Sequence, residues 1–249
     1  MRALILAAGL GTRLRPLTLK VPKCLAPICG KPLLEYWFEL LLPGGAVERV
    51  LVNTSYLAAK VRDHVAQSPW ADHVDLVHED EMLGTGGTIL ANRAWFGEGP
   101  FIVAHGDNLT LFDVEDFINR HRRRPARTEI TMMTFTTDQP STCGIVETDG
   151  DGRVMAFHEK VDNPPGNDAN GAVYIFEPSV VEFMAKLGKT VVDISTEVLP
   201  AYLGRIAVFP NRAYHRDIGS IESLSIAQTE YLGAAAAFAL RPGGQVRKP

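Results

Sequence analysis

Two kinds of hydrophobic pattern alternate through the first half of the chain. Short apolar runs predict buried strands, and segments with apolar residues three and four positions apart predict helices. The predicted strands are residues 3–8, 47–53, 74–77 and 100–104, and the predicted helices are residues 33–41, 56–67, 88–95 and 112–123. Because strands that alternate with helices form parallel βαβ units, we predict a doubly wound, Rossmann-like α/β core.

The pattern changes after residue 128. Short strands separated by Gly, Pro and Asp turns are predicted at residues 129–136, 143–148, 154–159 and 170–176, followed by helices at 179–187 and 193–203 and a strand at 205–209. These strands indicate a small antiparallel part added to a mixed sheet. We expect one domain over residues 1–235, with halves 1–125 and 126–235, and a flexible tail over residues 236–249.

Composition and charge limit the classes of partner. The chain has 249 residues, of which 46% are hydrophobic, so it can bury a large core. Its net charge of -4 gives no general attraction to nucleic acid or to an anionic membrane. Three cysteines without metal-ligand spacing suit a reducing compartment. We therefore expect a cytoplasmic protein with small-molecule partners, and a homodimer stays open as its assembly.

The loop after the first strand carries the strongest candidate chemistry. Gly9 and Gly11 let an anion approach backbone N–H groups, and positive charge within the same loop comes from Arg13, Arg15, Lys20 and Lys23. The dinucleotide pattern needs a glycine where Leu14 stands, and the Walker pattern is absent from the sequence. The loop is therefore predicted to bind phosphates in another way.

The string G-L-G-T-R-L-R-P-L-T at residues 9–18, with V-P-K at 21–23, resembles the signature of the sugar-1-phosphate nucleotidylyltransferases. The resemblance implies a GT-A-like nucleotidyltransferase fold. It also implies nucleotide binding by Leu6, Ala8, Gly9, Gly11, Thr12 and Arg13, and catalytic roles for Arg13, Lys23 and Asp107.

A second glycine run, residues 84–87, precedes a predicted helix and is expected to present free backbone N–H groups there. The alternative is a close contact between this helix and a neighbouring segment. In the resembled family the equivalent segment lines the base and ribose, which assigns Leu83, Gly84 and Thr85 to nucleotide binding. The acidic residues 79–81 directly before it are a candidate acceptor for guanine.

Asp107 follows a predicted strand and a glycine, a position suited to holding a divalent cation against phosphate oxygens. The resemblance implies that Asp107 and Asp217, the latter in a D-x-G pattern, are the ligands of Mg²⁺.

Three further segments resemble the sugar-phosphate side of this family in chain order. They are C-G-I-V at 143–146, H-E-K at 158–160 and N-G-A-V-Y at 170–174, which assign the sugar phosphate to Gly144, Glu159, Lys160 and Asn170. The sequence departs from the family pattern at Cys143 and Val161, and residues 171 and 172 are exchanged relative to it.

The resemblance implies transfer of a nucleotidyl group from a nucleoside triphosphate to a sugar 1-phosphate, with release of pyrophosphate. It favours GTP and mannose- or heptose-1-phosphate. The alternatives are thymidylyl or uridylyl transfer to glucose-1-phosphate or another hexose-1-phosphate, and a non-catalytic regulatory protein that binds nucleotide sugar.

Overall fold

The computed structural model describes residues 1–241. Its strands are β1 Arg2–Leu6, β2 Pro27–Ile28, β3 Lys31–Pro32, β4 Arg49–Thr54, β5 Val74–His78, β6 Phe101–His105, β7 Asn108–Leu111, β8 Ile130–Thr136, β9 Gly144–Thr148, β10 Val154–Glu159, β11 Asp168–Phe176, β12 Ile206–Pro210 and β13 Tyr214–Asp217. Its α-helices are α1 Leu33–Leu41, α2 Ala58–Gln67, α3 Gly84–Ala91, α4 Arg93–Phe96, α5 Val114–Arg122, α6 Pro178–Lys186 and α7 Ile221–Ala239. The mixed α/β, Rossmann-like fold class predicted from the sequence is confirmed.

The described chain divides into two compact units, and the first holds residues 1–82, 104–115 and 212–241. In this unit β1 pairs with β4 and β4 with β5, all parallel, with Leu6 opposite Asn53 and Asn53 opposite Val77. The carboxyl ends of these strands therefore lie at one edge of the sheet, where α/β proteins bind ligands. A separate apolar cluster packs α1 and α7 against β7, and it includes Tyr36 and Tyr231.

The second unit holds Leu83–Val103 and Asp116–Asn211. Here β9 and β10 form an antiparallel hairpin, β11 pairs antiparallel with β8 and β9, and β12 pairs parallel with β8. A turn at residues 149–152, D-G-D-G, closes the hairpin, where Asp149 Oδ1 accepts from the N–H groups of Asp151 and Arg153. The predicted antiparallel addition is confirmed in this unit.

Two helix predictions differ from the structure. Residues 193–203 form a π-helical turn, Ile194–Val198, followed by a 3-10 turn, Leu199–Tyr202, rather than one α-helix. Pro200 lacks an N–H donor and its ring would clash with the carbonyl four residues earlier, so an α-helical ladder cannot continue through it. The helix predicted at 88–95 begins earlier, at Gly84, and is interrupted at Asn92.

The C-terminal helix also differs from the expected tail. Helix α7 continues to Ala239 and buries Phe238 in the apolar cluster of the first unit. Residues 236–239 are therefore helical, and the end of the predicted tail, residues 242–249, lies outside the described residues.

Candidate functional site: a phosphate loop and a charge cluster

The loop between β1 and the 3-10 turn Thr12–Leu14 leaves its backbone donors available. Gly11 adopts a φ of 61°, and a Cβ there would lie 2.9 Å from Thr18 Cγ2. Thr18 is buried, and its hydroxyl donates to Gly11 O at 2.7 Å. Within residues 1–241, the N–H groups of residues 8–11 donate to no protein acceptor. The loop is thus held in shape by Thr18 while its N–H groups can receive an anion.

Four charged side chains predicted to share a site lie together beside this loop. Lys23 is 8% exposed, and its Nζ lies 2.7 Å from Asp107 Oδ2 and 3.7 Å from Asp217 Oδ1. Arg13 Nη2 lies 3.9 Å from Asp217 Oδ2, and the Arg13 side chain is 73% exposed. The cluster therefore combines one buried cation, one solvent-exposed cation and two carboxylates.

A short two-stranded ribbon brings the two aspartates together. Strands β7 and β13 pair antiparallel with Asp217 opposite Asn108, and Ile218 N donates to Asp107 O at 2.9 Å. The adjacent Gly219 leaves space for these side chains as they stand, because a Cβ there would lie 2.5 Å from Asp217 Oδ2 and 2.9 Å from Arg13 Nη2. The D-x-G pattern pointed to Asp217, but it gave no reason for this glycine.

The pKa values of the two carboxyl groups shift in opposite directions. Burial raises the pKa of Asp107, but the Lys23 ammonium and His105 outweigh it, so that pKa lies below its ordinary value. Burial and the neighbouring charge of Asp107 raise the pKa of Asp217, and Lys23 and Arg13 compensate only in part. The cluster therefore holds Asp107 firmly ionised and places Asp217 where additional positive charge is favourable.

The expectation of free backbone donors in the second glycine run fails at Gly86 and Gly87, whose N–H groups both have an acceptor in the chain. Gly86 N and Gly87 N both donate to Val192 O, at 2.8 and 3.2 Å, and Val192 N donates to Leu83 O. A Cβ at Gly84 would lie 2.6 Å from the same carbonyl oxygen. The glycines serve a close approach between α3 and residues 190–192, which was the alternative interpretation of the sequence.

Thr85 belongs to the same contact. Its hydroxyl donates to Asp193 Oδ2 at 3.4 Å and accepts from Ile194 N at 2.8 Å. Base binding by Leu83, Gly84 and Thr85 stays a prediction, and it cannot rest on unpaired N–H groups at Gly86 and Gly87.

The residues predicted to bind the sugar phosphate lie in the second unit. Glu159 pairs with Gly144 across the β9–β10 hairpin, and a Cβ at Gly144 would lie 2.7 Å from Glu159 Oε2. Lys160 Nζ lies 3.2 Å from Glu159 Oε1. Gly144 therefore leaves space for the Glu159 carboxylate, and these three residues come together.

Asn170 lies on β11 and is engaged by its own strand. Its Oδ1 accepts from Ala172 N at 2.9 Å, and its Nδ2 donates to Tyr174 Oη at 2.7 Å. These bonds stabilise an irregularity in the β8–β11 pairing at which Ala172 takes a φ of 50°. Non-glycine residues with such a φ are uncommon and often mark functional segments.

The family described as nucleotidyl transferase matches residues 2–233. The chain belongs to this family. It is 33% identical over 225 residues to a mannose-1-phosphate guanylyltransferase of Mycobacterium tuberculosis, covering 88% of this chain and 61% of that protein. It is also 33% identical over 198 residues to a UTP--glucose-1-phosphate uridylyltransferase of Synechocystis, covering 74% and 51%.

The chain therefore spans about six tenths or less of the length of these relatives. Among solved structures, HddC of Yersinia pseudotuberculosis complexed with GMP-PN is similar, with a TM-score of 0.74 and 26% identity over 92% of this chain and 99% of that one.

Nucleotidyl transferases of this family generally use a divalent metal ion. Asp107 and Asp217 suit such an ion, because carboxylate oxygens are hard ligands and a like-charged pair gains from added positive charge. Within residues 1–241, no group of three or more His, Cys, Asp or Glu side chains could hold a metal. Two carboxylates fit an ion that keeps water and substrate phosphates as its other ligands.

No helix within residues 1–241 is long and apolar enough to span a bilayer.

Proposed function

We propose that this protein is a sugar-1-phosphate nucleotidylyltransferase. The observation that carries the proposal is the cluster of Arg13, Lys23, Asp107 and Asp217 beside a glycine loop whose N–H groups have no protein acceptor within residues 1–241. Phosphoryl and nucleotidyl transfer depend chiefly on positioning and charge neutralisation, which this arrangement supplies.

The chain's own residues have separate tasks in this reaction. The sugar phosphate is an anion at neutral pH, so its oxygen can attack the α-phosphorus without a general base. Lys23 stabilises the charge that develops on the α-phosphate, and the exposed Arg13 holds the leaving pyrophosphate. A divalent ion, Mg²⁺ in our proposal, would be held by Asp107 and Asp217 and would neutralise phosphate charge.

Binding of the sugar phosphate is assigned to the second unit. Glu159 accepts hydrogen bonds from sugar hydroxyls, and Lys160 neutralises the phosphate. Because Lys160 lies against Glu159, the ammonium and the carboxylate neutralise each other before the sugar phosphate binds. Gly144 keeps the carboxylate accessible, and Asn170 orients the adjacent strand irregularity.

GTP and mannose- or heptose-1-phosphate are the favoured substrates. The guanylyltransferase relative and the structure complexed with GMP-PN support this choice. The uridylyltransferase relative supports the alternative, uridylyl or thymidylyl transfer to glucose-1-phosphate. A non-catalytic regulatory role is disfavoured because all four charged residues are present. A cytoplasmic location and a homodimer stay predictions.

The acidic residues 79–81 differ in exposure and in hydrogen bonding, which argues against one shared acceptor site for guanine. Glu79 is 6% exposed and accepts from Asn53 Nδ2 at 3.0 Å, whereas the Asp80 side chain is 98% exposed. Selection of the base by the Glu79 side chain therefore has little support, and selection by backbone groups of this segment stays a hypothesis.

The test is pyrophosphate release from GTP, ATP, UTP and dTTP with mannose-, heptose- and glucose-1-phosphate. We expect GTP with mannose- or heptose-1-phosphate to give the highest kcat/KM, and ITP, which lacks the guanine amino group, to give a lower one. A preference for UTP or dTTP would overturn the choice of GTP and leave nucleotidyl transfer intact. Failure of every pair, with nucleotide sugar still bound, would favour the regulatory alternative.

A further inference from the structure

The peptide between Leu6 and Ala7 is held on both sides at the start of the phosphate loop. Gly106 N donates to Leu6 O at 2.9 Å, and Ala7 N donates to Asn53 Oδ1 at 2.6 Å. These two bonds fix the carbonyl and the N–H of one peptide plane. The next residues are those whose N–H groups are available to an anion, so the orientation of this plane sets the direction of the loop.

The Asn53 amide is oriented by a buried carboxylate. Asn53 is 3% exposed at the end of β4, and its Nδ2 donates to Oε1 of Glu79, which is 6% exposed. A carboxylate only accepts hydrogen bonds, so Glu79 directs the amide nitrogen toward itself and the amide oxygen toward Ala7. Glu79 is itself fixed, because its backbone N–H donates to Thr54 O at 2.8 Å.

The other side of the peptide leads directly to Asp107. Gly106 approaches so closely that a Cβ would lie 2.7 Å from Ile5 Cγ2 and 3.1 Å from Leu6 O. A rotation of the Leu6–Ala7 peptide would therefore disturb the phosphate loop and the Asp107 loop together. Displacements of about 1 Å between reacting groups can lower catalysis by about 10²-fold.

We propose that Asn53 is a positioning residue for nucleotidyl transfer, and that Glu79 keeps its amide in the productive orientation. The inference rests on the proposed function. It assigns to Glu79 a role in loop geometry in place of contact with the base.

The test exchanges donor and acceptor between the two side chains. Asn53→Asp still accepts from Ala7 N but places a carboxylate against Glu79, so we expect kcat/KM for the nucleoside triphosphate to fall by about 10²-fold. Glu79→Gln keeps an acceptor for Asn53 and is expected to cost less than about tenfold. In the double variant Asn53→Asp/Glu79→Gln, the introduced amide can donate to the introduced carboxylate, and most of the loss should be recovered.

The matched control is Asp75→Asn. It removes a carboxylate from β5, the strand directly before Glu79, where Asp75 pairs with Arg49 near the start of the strand, and it should keep wild-type kinetics. All variants are assayed at about 10 °C or more below their own thermal midpoints, so that each stays folded, with nucleotide affinity measured by calorimetry.

Two results would overturn the inference itself, and a third would overturn the proposed function on which it rests. Asn53→Asp with a lower midpoint but wild-type kcat and KM would show a role in stability alone. Failure of the double variant to recover kcat/KM would remove the orienting role of Glu79. Wild-type protein that binds nucleotide but releases no pyrophosphate would overturn the proposed function, and the inference would fall with it unless calorimetry still showed the loss and recovery of affinity.

Discussion

The two aspartates of the charge cluster differ in what their ionisation does for the folded state. A carboxyl group whose pKa is lowered by the fold stabilises the protein above its unfolded pKa, and one whose pKa is raised destabilises the protein as pH rises through that range. Asp107 is of the first kind and Asp217 of the second. Neutralising either aspartate is therefore expected to lower activity, whereas the free energy of unfolding should fall for Asp107 and not for Asp217.

We predict that Asp107→Asn lowers the free energy of unfolding at pH 7 by about 1–2 kcal/mol, after allowance for solvent screening, because Lys23 loses the closer of its two carboxylate partners. Asp217→Asn should raise it by up to about 0.5 kcal/mol. Both should lower turnover by about 10²-fold or more. Urea unfolding and steady-state kinetics measure the two effects, and equal loss of stability in both variants would contradict the assigned pKa directions.

A second prediction at this scale concerns Ala172. Its φ of 50° is unfavourable for a residue with a Cβ, and the resembled family has glycine at the corresponding position. Ala172→Gly should therefore stabilise the protein by about 0.5–1 kcal/mol. Ala169→Gly, at a buried position paired with β8 and β9 in the same strand, should destabilise it. Thermal unfolding compares the two, and a loss with Ala172→Gly would show that the segment is not strained.

At the scale of elements, local patterns predicted the βαβ units and missed what depends on distant partners. The apolar runs of β1, β4 and β5 place the strand ends to within two residues, because burial of a strand is visible in its own residues. The β7–β13 ribbon joins two four-residue strands that lie far apart in the chain, and β13 is Y-H-R-D. Its pairing leaves no periodic signal, so the motif located Asp217 without predicting what places it beside Asp107.

The glycines of the two loops illustrate the same limit. Both runs look alike in sequence. Gly84, Gly86 and Gly87 lie in close contact with residues 190–192, whereas a Cβ at Gly9 would meet nothing within 4 Å. Sequence composition alone cannot distinguish a glycine that admits another segment from one that admits a ligand.

This distinction gives a prediction for the phosphate loop. Gly9→Ala should leave the thermal midpoint within about 1 °C of wild type, because nothing in the described residues contacts the added methyl group. It should nevertheless weaken nucleotide binding by about tenfold or more if phosphates occupy that space. Gly11→Ala is the matched comparison and should lose stability, because of its φ of 61° and the contact with Thr18. Wild-type nucleotide affinity in Gly9→Ala would place the phosphates elsewhere.

At the scale of the whole molecule, the end of the chain was predicted least well. Alanine-rich sequence followed by Pro and Gly suggested that the fold stops at residue 235, because an alanine run has no apolar periodicity. The large aromatic side chain in that stretch, Phe238, is buried with Tyr36 and Tyr231, whose rings meet edge to face at 4.8 Å. Burial of Phe238 thus extends the folded region past residue 235, where the surrounding alanines predicted that it ends.

The last prediction follows from Phe238. A chain that ends after residue 235 loses this side chain and the last turn of α7, which should cost about 2 kcal/mol, or a fall of about 4–8 °C in the thermal midpoint. A chain that ends after residue 241 keeps both, so the difference between the thermal midpoints of the two truncated chains measures their contribution. Phe238→Ala in the full-length protein separates packing from truncation and should reproduce most of the loss. If the two truncated chains have the same thermal midpoint, the packing of Phe238 adds nothing to the free energy of unfolding. Rearrangement of α7 would then have replaced its contacts.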